Sequence, residues 1–135
     1  MCAAIEFKGR NVYFRDESPQ LPVLLKRGLE GIDPEVIWIP WGVPYGNNEK
    51  HLPEGAYARL ESIKQGKWNR WHARPVQLPV SRFMERDPEK REVWFDLSPG
   101  EVIQGCLAND AVVYVVTVPA PTEFAHIHDR WPRVV

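Results

Sequence analysis

The sequence predicts an α+β fold dominated by β-structure, and three observations lead there. Short runs rich in Val, Ile, Phe, Trp and Tyr recur between Gly, Pro and Asn clusters. Thirteen prolines spread along 135 residues exclude a helical bundle. Only one stretch carries helical periodicity.

Taken in order, Ala4–Phe7 and Asn11–Arg15 read as an opening strand pair around Lys8-Gly9-Arg10. Leu21–Lys26 and Glu35–Trp41 read as two more strands, separated by a turn region from Gly28 to Pro34. This is a meander, with no βαβ alternation. Pro44 to Pro53, with Gly46, Asn47 and Asn48, holds too many breakers for regular structure and is expected as a surface loop. Gly55–Gln65 is the expected helix, because Ala56, Leu60 and Ile63 recur at i, i+4 and i+7 and Gly66 stands ready to end it. Strands are then expected at Pro75–Met84, Glu92–Leu97, Glu101–Leu107 and Ala111–Val118, with hairpin turns at Ser98-Pro99-Gly100 and Ala108-Asn109-Asp110. Ala111–Val118 is apolar almost throughout and should be a central strand covered on both faces.

A chain of 135 residues fits one domain with a real core. Apolar content of 44% and charged content of 26% are those of an ordinary globular protein. A net charge of −1 and a pI near 6.4 give no overall pull toward nucleic acid or anionic membranes, so any anion site must be local. Cys2 and Cys106 are the only cysteines and form no CxxC pair, which argues against a zinc ribbon or disulfide framework and suits a reducing cytoplasm. No stretch approaches the roughly 20 apolar residues of a membrane span, and no export signal opens the chain, so a cytoplasmic, non-membrane protein is expected.

Three groups could carry chemistry. The first is Cys2: a small second residue favours removal of Met1, which would leave a thiol and an α-amine on one carbon skeleton. Such an aminothiol condenses with aldehydes to a Schiff base and closes to a thiazolidine, helped by reference pKa values of about 8.5 and about 7.7–8.0. The second is His126-Ile127-His128-Asp129-Arg130-Trp131-Pro132. On an extended strand its two histidines would share a face, as metal ligands do, but Asp129 would point away and no third ligand has recognisable spacing, so no metal or other cofactor is expected. One histidine as a general acid/base, or a polar loop closed by Asp129–Arg130 pairing, are the other readings. The third is a basic middle, Lys64, Lys67, Arg70, His72, Arg74, Arg82, Arg86, Lys90 and Arg91, interleaved with Trp68 and Trp71. It suits single-stranded nucleic acid, or else a solvated face over buried tryptophans that Glu85, Asp87 and Glu89 partly neutralise.

Met1-Cys2, Trp41-Gly42-Val43-Pro44, Tyr57-Ala58-Arg59-Leu60-Glu61-Ser62, the strand Tyr114–Thr117 and Ile127-His128-Asp129-Arg130-Trp131-Pro132 together resemble, in order and spacing, the SOS-response-associated peptidase (SRAP) family, whose members include sensors of abasic sites in single-stranded DNA. The resemblance spans almost the whole chain. It implies a twisted, partly barrel-like antiparallel sheet with few helices. It also implies a self-linking reaction in which Cys2 attacks the ring-opened aldehyde of an abasic site, with His128 assisting ring opening or proton transfer and Glu85 as a further catalytic group. Arg59 would grip phosphate; Arg74, Trp41, Tyr57, Arg130 and Thr117 would be further DNA-binding positions, Arg130 with Asp129 also supporting the histidine loop.

The chain departs from the family at several places. Tyr57 stands where the family has Asn, and Asp16 where another Asn is aligned. Glu85 in Arg82-Phe83-Met84-Glu85 falls one residue late, so on a regular strand it would face away from Met84's side, and a bulge is expected if it is to reach the site. The chain stops seven residues after His128, short of the family's C-terminal extension. Two alternatives therefore stand beside crosslinking. One is a noncovalent DNA- or protein-binding module with impaired chemistry; the other is a cysteine autopeptidase acting at Met1.

Overall fold

The structure, a computed structural model, describes residues 2–46 and 51–135. Asn47 and Asn48 of the expected loop, and the expected removal of Met1, lie outside the described residues.

β1 (Ala4–Phe7) and β2 (Arg10–Tyr13) form the opening hairpin, with Ala4 opposite Tyr13 and Phe7 opposite Arg10. β3 (Gln20–Lys26) and β4 (Glu35–Pro40) form a second hairpin, regular from Gln20↔Pro40 to Leu24↔Val36. Both follow the expected pattern, because alternation and turn residues agree there.

The expected helix is different: only Leu60–Lys64 is helical (α1), and Tyr57–Arg59 is a strand, β5. β5 runs parallel to β10 (Val112–Pro119), with Tyr57 opposite Val115 and Arg59 opposite Thr117. Its backbone groups are satisfied by that neighbour, and this tertiary pairing overrides the local helical periodicity. A 3-10 turn, Asn69–Trp71, follows, and a second, Thr122–Phe124, comes after β10.

The expected strand Pro75–Met84 is two strands, β6 (Arg74–Leu78) and β7 (Arg82–Arg86), in different sheets. Pro79 has no N–H to donate, and Val80 N–H closes a tight turn on Leu78 O at 2.9 Å, so the chain swings from one sheet to the other. β8 (Glu92–Asp96) and β9 (Ile103–Ala108) agree with their expected ranges to within a few residues. They lie in different sheets, however, so Ser98-Pro99-Gly100 carries the chain from one sheet to the other and is not the expected hairpin turn. Arg130–Pro132, expected within a polar run, is the edge strand β11.

The architecture is β-dominated, with three sheets in place of one antiparallel sheet. One has the order β2-β1-β7-β8; the second has the order β11-β10-β9-β6 with β5 also on β10; the third is the β3–β4 hairpin. No closed barrel forms among the described residues. β10 is central as expected, with every side chain from Val112 to Thr117 buried.

One core cluster draws on both large sheets, bringing Cys2, Ile5 and Phe83 together with Ile103, Val113, Val115 and Trp131. Its densest part is aromatic: Trp131 stacks on Phe124 at 5.2 Å and meets Phe83 and Phe95 edge-on at 5.3 and 4.8 Å. A second cluster holds Trp68, 4.8 Å from the Tyr114 ring and 5.4 Å from Trp71. Trp68 is therefore core and offers no stacking surface. Among the described residues no helix is long and apolar enough to cross a membrane.

Candidate functional site

Trp41-Gly42-Val43 braces the backbone that leads into β5. Trp41 Nε1–H donates to Ala56 O at 3.1 Å, Gly42 N–H to Val113 O at 2.8 Å, and Val43 exchanges both hydrogen bonds with Gly55. Gly42 has φ +61, and a Cβ there would stand 2.1 Å from Gly55 O, so only glycine permits this approach. Beyond the brace, alternation along β5 buries Ala58 and leaves Tyr57 and Arg59 in an open cleft of about 400 Å³. Tyr45, Glu54 and Gly55 line its other side, and His128, Asp129 and Arg130 close it.

The His128 end is held from behind. Arg130 is buried, and its guanidinium makes a two-pronged bond to Glu61 on α1 at 2.8 and 3.0 Å. It also donates to Thr117 O at 2.8 Å and Thr117 Oγ1 at 3.2 Å. The Arg130 hydrogen bond holds the Glu61 carboxyl down at about 2. His128 Nδ1 accepts the Arg130 backbone N–H at 3.1 Å and lies 3.1 Å from Asp129 Oδ1. The two contacts ask for opposite protonation of Nδ1. The backbone bond prevails, since Asp129 is exposed and its charge screened, while burial lowers the imidazole pKa. His128 is thus a neutral ring with its proton on Nε2.

Behind the cleft lies the Cys2–Glu85 pair. β1 pairs β7 with Ala4 opposite Met84, and Ala3 N–H bonds Met84 O at 2.9 Å, which carries Cys2 alongside Glu85. The Cys2 side chain is 0% exposed, its Sγ 3.5 Å from Ala4 O. Burial, and then the nearby Glu85 charge, push its thiol pKa well above the usual range. Glu85 is also fully buried, and burial raises its carboxyl to about 7. Tyr57 packs on the cluster that contains Cys2; burial, followed by the charges of Cys2, Glu85 and Tyr45, keeps its phenol protonated far above neutrality. Glu85 comes to Cys2 with no bulge against β8, where the register runs unbroken from Arg82↔Asp96 to Arg86↔Glu92. The expectation of a bulge fails because the sheet is covered on both faces here, so Phe83, Met84 and Glu85 are all buried.

Cys2, Tyr57, Arg59, Glu85 and His128 thus converge from four parts of the chain. Of the other sequence-selected positions only Arg130 borders the cleft. Trp41 and Thr117 are buried and shape the site from within, and the Arg130 guanidinium is spent on Glu61 and Thr117. Arg74 lies on β6, off the cleft, paired to Asp110 at 3.0 Å. Three more of the basic stretch are paired to acids, Arg82 with Glu6 (2.9 Å), Arg86 with Glu92 (3.7 Å) and Arg91 with Asp87 (2.8 Å), while Arg70 lies over the Trp71 ring at 5.0 Å. His126 sits exposed in a turn over 125–127, so the strand geometry that would pair it with His128 is not present. Among the described residues no group of three His, Cys, Asp or Glu side chains could hold a metal.

Tyr45 and Glu54 were missed. Tyr45 is 70% exposed beside the cleft, and the one signal for it is an aromatic among Pro44 and Gly46 in an expected loop.

No protein-family model matches the chain. No curated protein matches it significantly.

Proposed function

We propose that this chain traps abasic sites in single-stranded DNA covalently through Cys2. The observation that carries the reading is a cleft lined by Tyr57, Arg59 and His128 with the buried Cys2 and Glu85 next to Tyr57. The aldehyde of a ring-opened abasic sugar meets the α-amine that Cys2 carries once Met1 is gone. The amine nitrogen bonds the aldehyde carbon, and the carbinolamine loses its hydroxyl as water to give an imine. Sulfur then adds to the imine carbon while the thiol proton ends on nitrogen, closing the thiazolidine with one water lost overall.

Each residue has a part in this sequence. Glu85, with a pKa of about 7, can take the thiol proton and return it near neutral pH. Neutral His128 can donate from Nε2 to the sugar oxygen or the departing hydroxyl. Exposed Arg59 suits a phosphate.

The test is intact mass and denaturing-gel mobility of wild type and Cys2→Ala after incubation with abasic single-stranded DNA. The expected product is a Cys2-dependent adduct weighing protein plus oligonucleotide less one water. One observation favours a second reading: the thiol is enclosed and kept protonated. If it stays so, the protein is a noncovalent binder, with no adduct and with affinity that falls steeply with salt.

A further inference from the structure

Beside the cleft lies a second pocket, of about 460 Å³, that the chemistry above leaves unused. Phe14, Pro19, Pro44 and Tyr45 give it an apolar, flat-sided wall, and the turn Arg15-Asp16-Glu17 forms its polar rim. Tyr45 belongs to both pockets, so whatever fills the second lies next to whatever fills the cleft.

The walls pack against one another and against the frame of the cleft. Tyr45 stands edge-on to Phe14 at 6.4 Å, and Phe14 edge-on to Trp41 at 5.5 Å. The Tyr45 hydroxyl packs so closely on Gly55 that a Cβ there would come within 2.7 Å of it. Pro19 O is tied to Trp41 N–H at 2.9 Å. Asp16 Oδ2 accepts Tyr13 N–H at 2.9 Å, leaving Oδ1 with no hydrogen bond among the described residues. A box of rings and prolines with the Asp16 and Glu17 carboxylates at its edge, Asp16 held by its bond to the Tyr13 N–H, suits a planar heterocycle that carries an N–H donor.

We propose that this pocket receives the nucleobase adjoining the trapped abasic site, stacked against Tyr45, and that Asp16 favours a base with an exocyclic amino group over thymine. The inference rests on the reading of the cleft as an abasic-site trap. A carboxylate accepts from the amino group of cytosine, while thymine presents a carbonyl in that place.

The experiment uses single-stranded oligonucleotides whose abasic site is flanked on either side by cytosine or by thymine, with adduct rate as the readout. Lesion-free oligocytidylate and oligothymidylate follow, with Kd measured by anisotropy. Wild type is expected to prefer cytosine by about tenfold on one flank. Tyr45→Ala should weaken binding of both strands about tenfold, and Asp16→Asn should erase the preference while leaving binding near normal. Circular dichroism of Tyr45→Ala checks folding, and Tyr45→Phe should restore stacking. Equal rates and affinities for both bases, unchanged in Tyr45→Ala, would overturn the pocket. Absence of any adduct with the cytosine preference intact in lesion-free DNA would overturn the covalent reading and leave the pocket standing.

Discussion

Replacing Glu85 by Gln tests the electrostatics of the site without any DNA. Glu85 is 0% exposed and its carboxyl is raised from 4.5 to about 7 by burial. A rise of that size, at about 1.4 kcal/mol per unit, corresponds to about 3 kcal/mol of linked stability. The sign follows from proton counting. Between pH 4.5 and 7 the folded protein keeps a proton that the unfolded chain has released, so stability falls as pH rises through that window. Gln has nearly the same shape and no charge, so its variant lacks this slope. His128 works oppositely: its lowered pKa makes stability rise with pH below 6.5. Because His128 is present in both proteins, its contribution cancels in their difference. Urea unfolding followed by tryptophan fluorescence at pH 4.5, 6 and 8 should show the Gln variant gaining on wild type by about 3 kcal/mol across the range. A difference that stays constant with pH would refute the buried, proton-holding Glu85 on which the proposed base chemistry depends.

Three other perturbations test the frame. Gly42→Ala sets a methyl against Gly55 O at a positive-φ position and should cost at least about 2 kcal/mol in urea unfolding, with Tyr45 and Tyr57 displaced together. Trp131→Ala removes the ring on which Phe83, Phe95 and Phe124 meet and should lower stability by about 3–5 kcal/mol in the same assay. The Glu61 carboxyl is held at about 2, so its bond to Arg130 supports the fold above about pH 4.5 and fades as pH falls toward 2. In Glu61→Gln the corresponding acid limb of a circular-dichroism titration should flatten.

The hairpins β1–β2, β3–β4 and β9–β10 and the central strand were legible in the sequence because alternation, turn residues and apolar runs all agree there, whereas the turn residues Ser98-Pro99-Gly100 join strands of different sheets. At β5, local and tertiary signals conflict: Ala56, Leu60 and Ile63 have helical spacing, but the backbone of Tyr57–Arg59 pairs with β10. Pairing partners are not visible in a local pattern. The break at Pro79 was readable in principle, since proline ends ladders, yet apolar residues on both sides masked it. At the site, the residue types were legible and their partners were not. Arg130 looks like a phosphate ligand until its guanidinium is seen on Glu61 and Thr117, 69 and 13 residues away in sequence. Glu85 looked displaced because strand alternation was assumed to separate core from site, whereas both faces of β7 are covered.

The enclosure of Cys2 leads to the last prediction. Tyr57 lines the cleft on one side and packs on the cluster holding Cys2 on the other, so an aldehyde arriving from the cleft meets the phenol before the sulfur. Tyr57 is then a gate as well as a neighbour. Shortening it to Ala should leave the backbone pairing of β5 with β10 intact, because that ladder uses main-chain groups, and should open a path to the thiol. Labelling of Cys2 by a small maleimide under native conditions, read by peptide mass, should accelerate in Tyr57→Ala. Cys106, on β9, serves as the internal control and should remain unlabelled. The same variant should form its DNA adduct faster if access limits the rate, and slower if the phenol donates a proton to the aldehyde oxygen. A labelling rate unchanged from wild type would show that the route to Cys2 does not pass Tyr57, and the cleft would lose its place as the approach to the nucleophile.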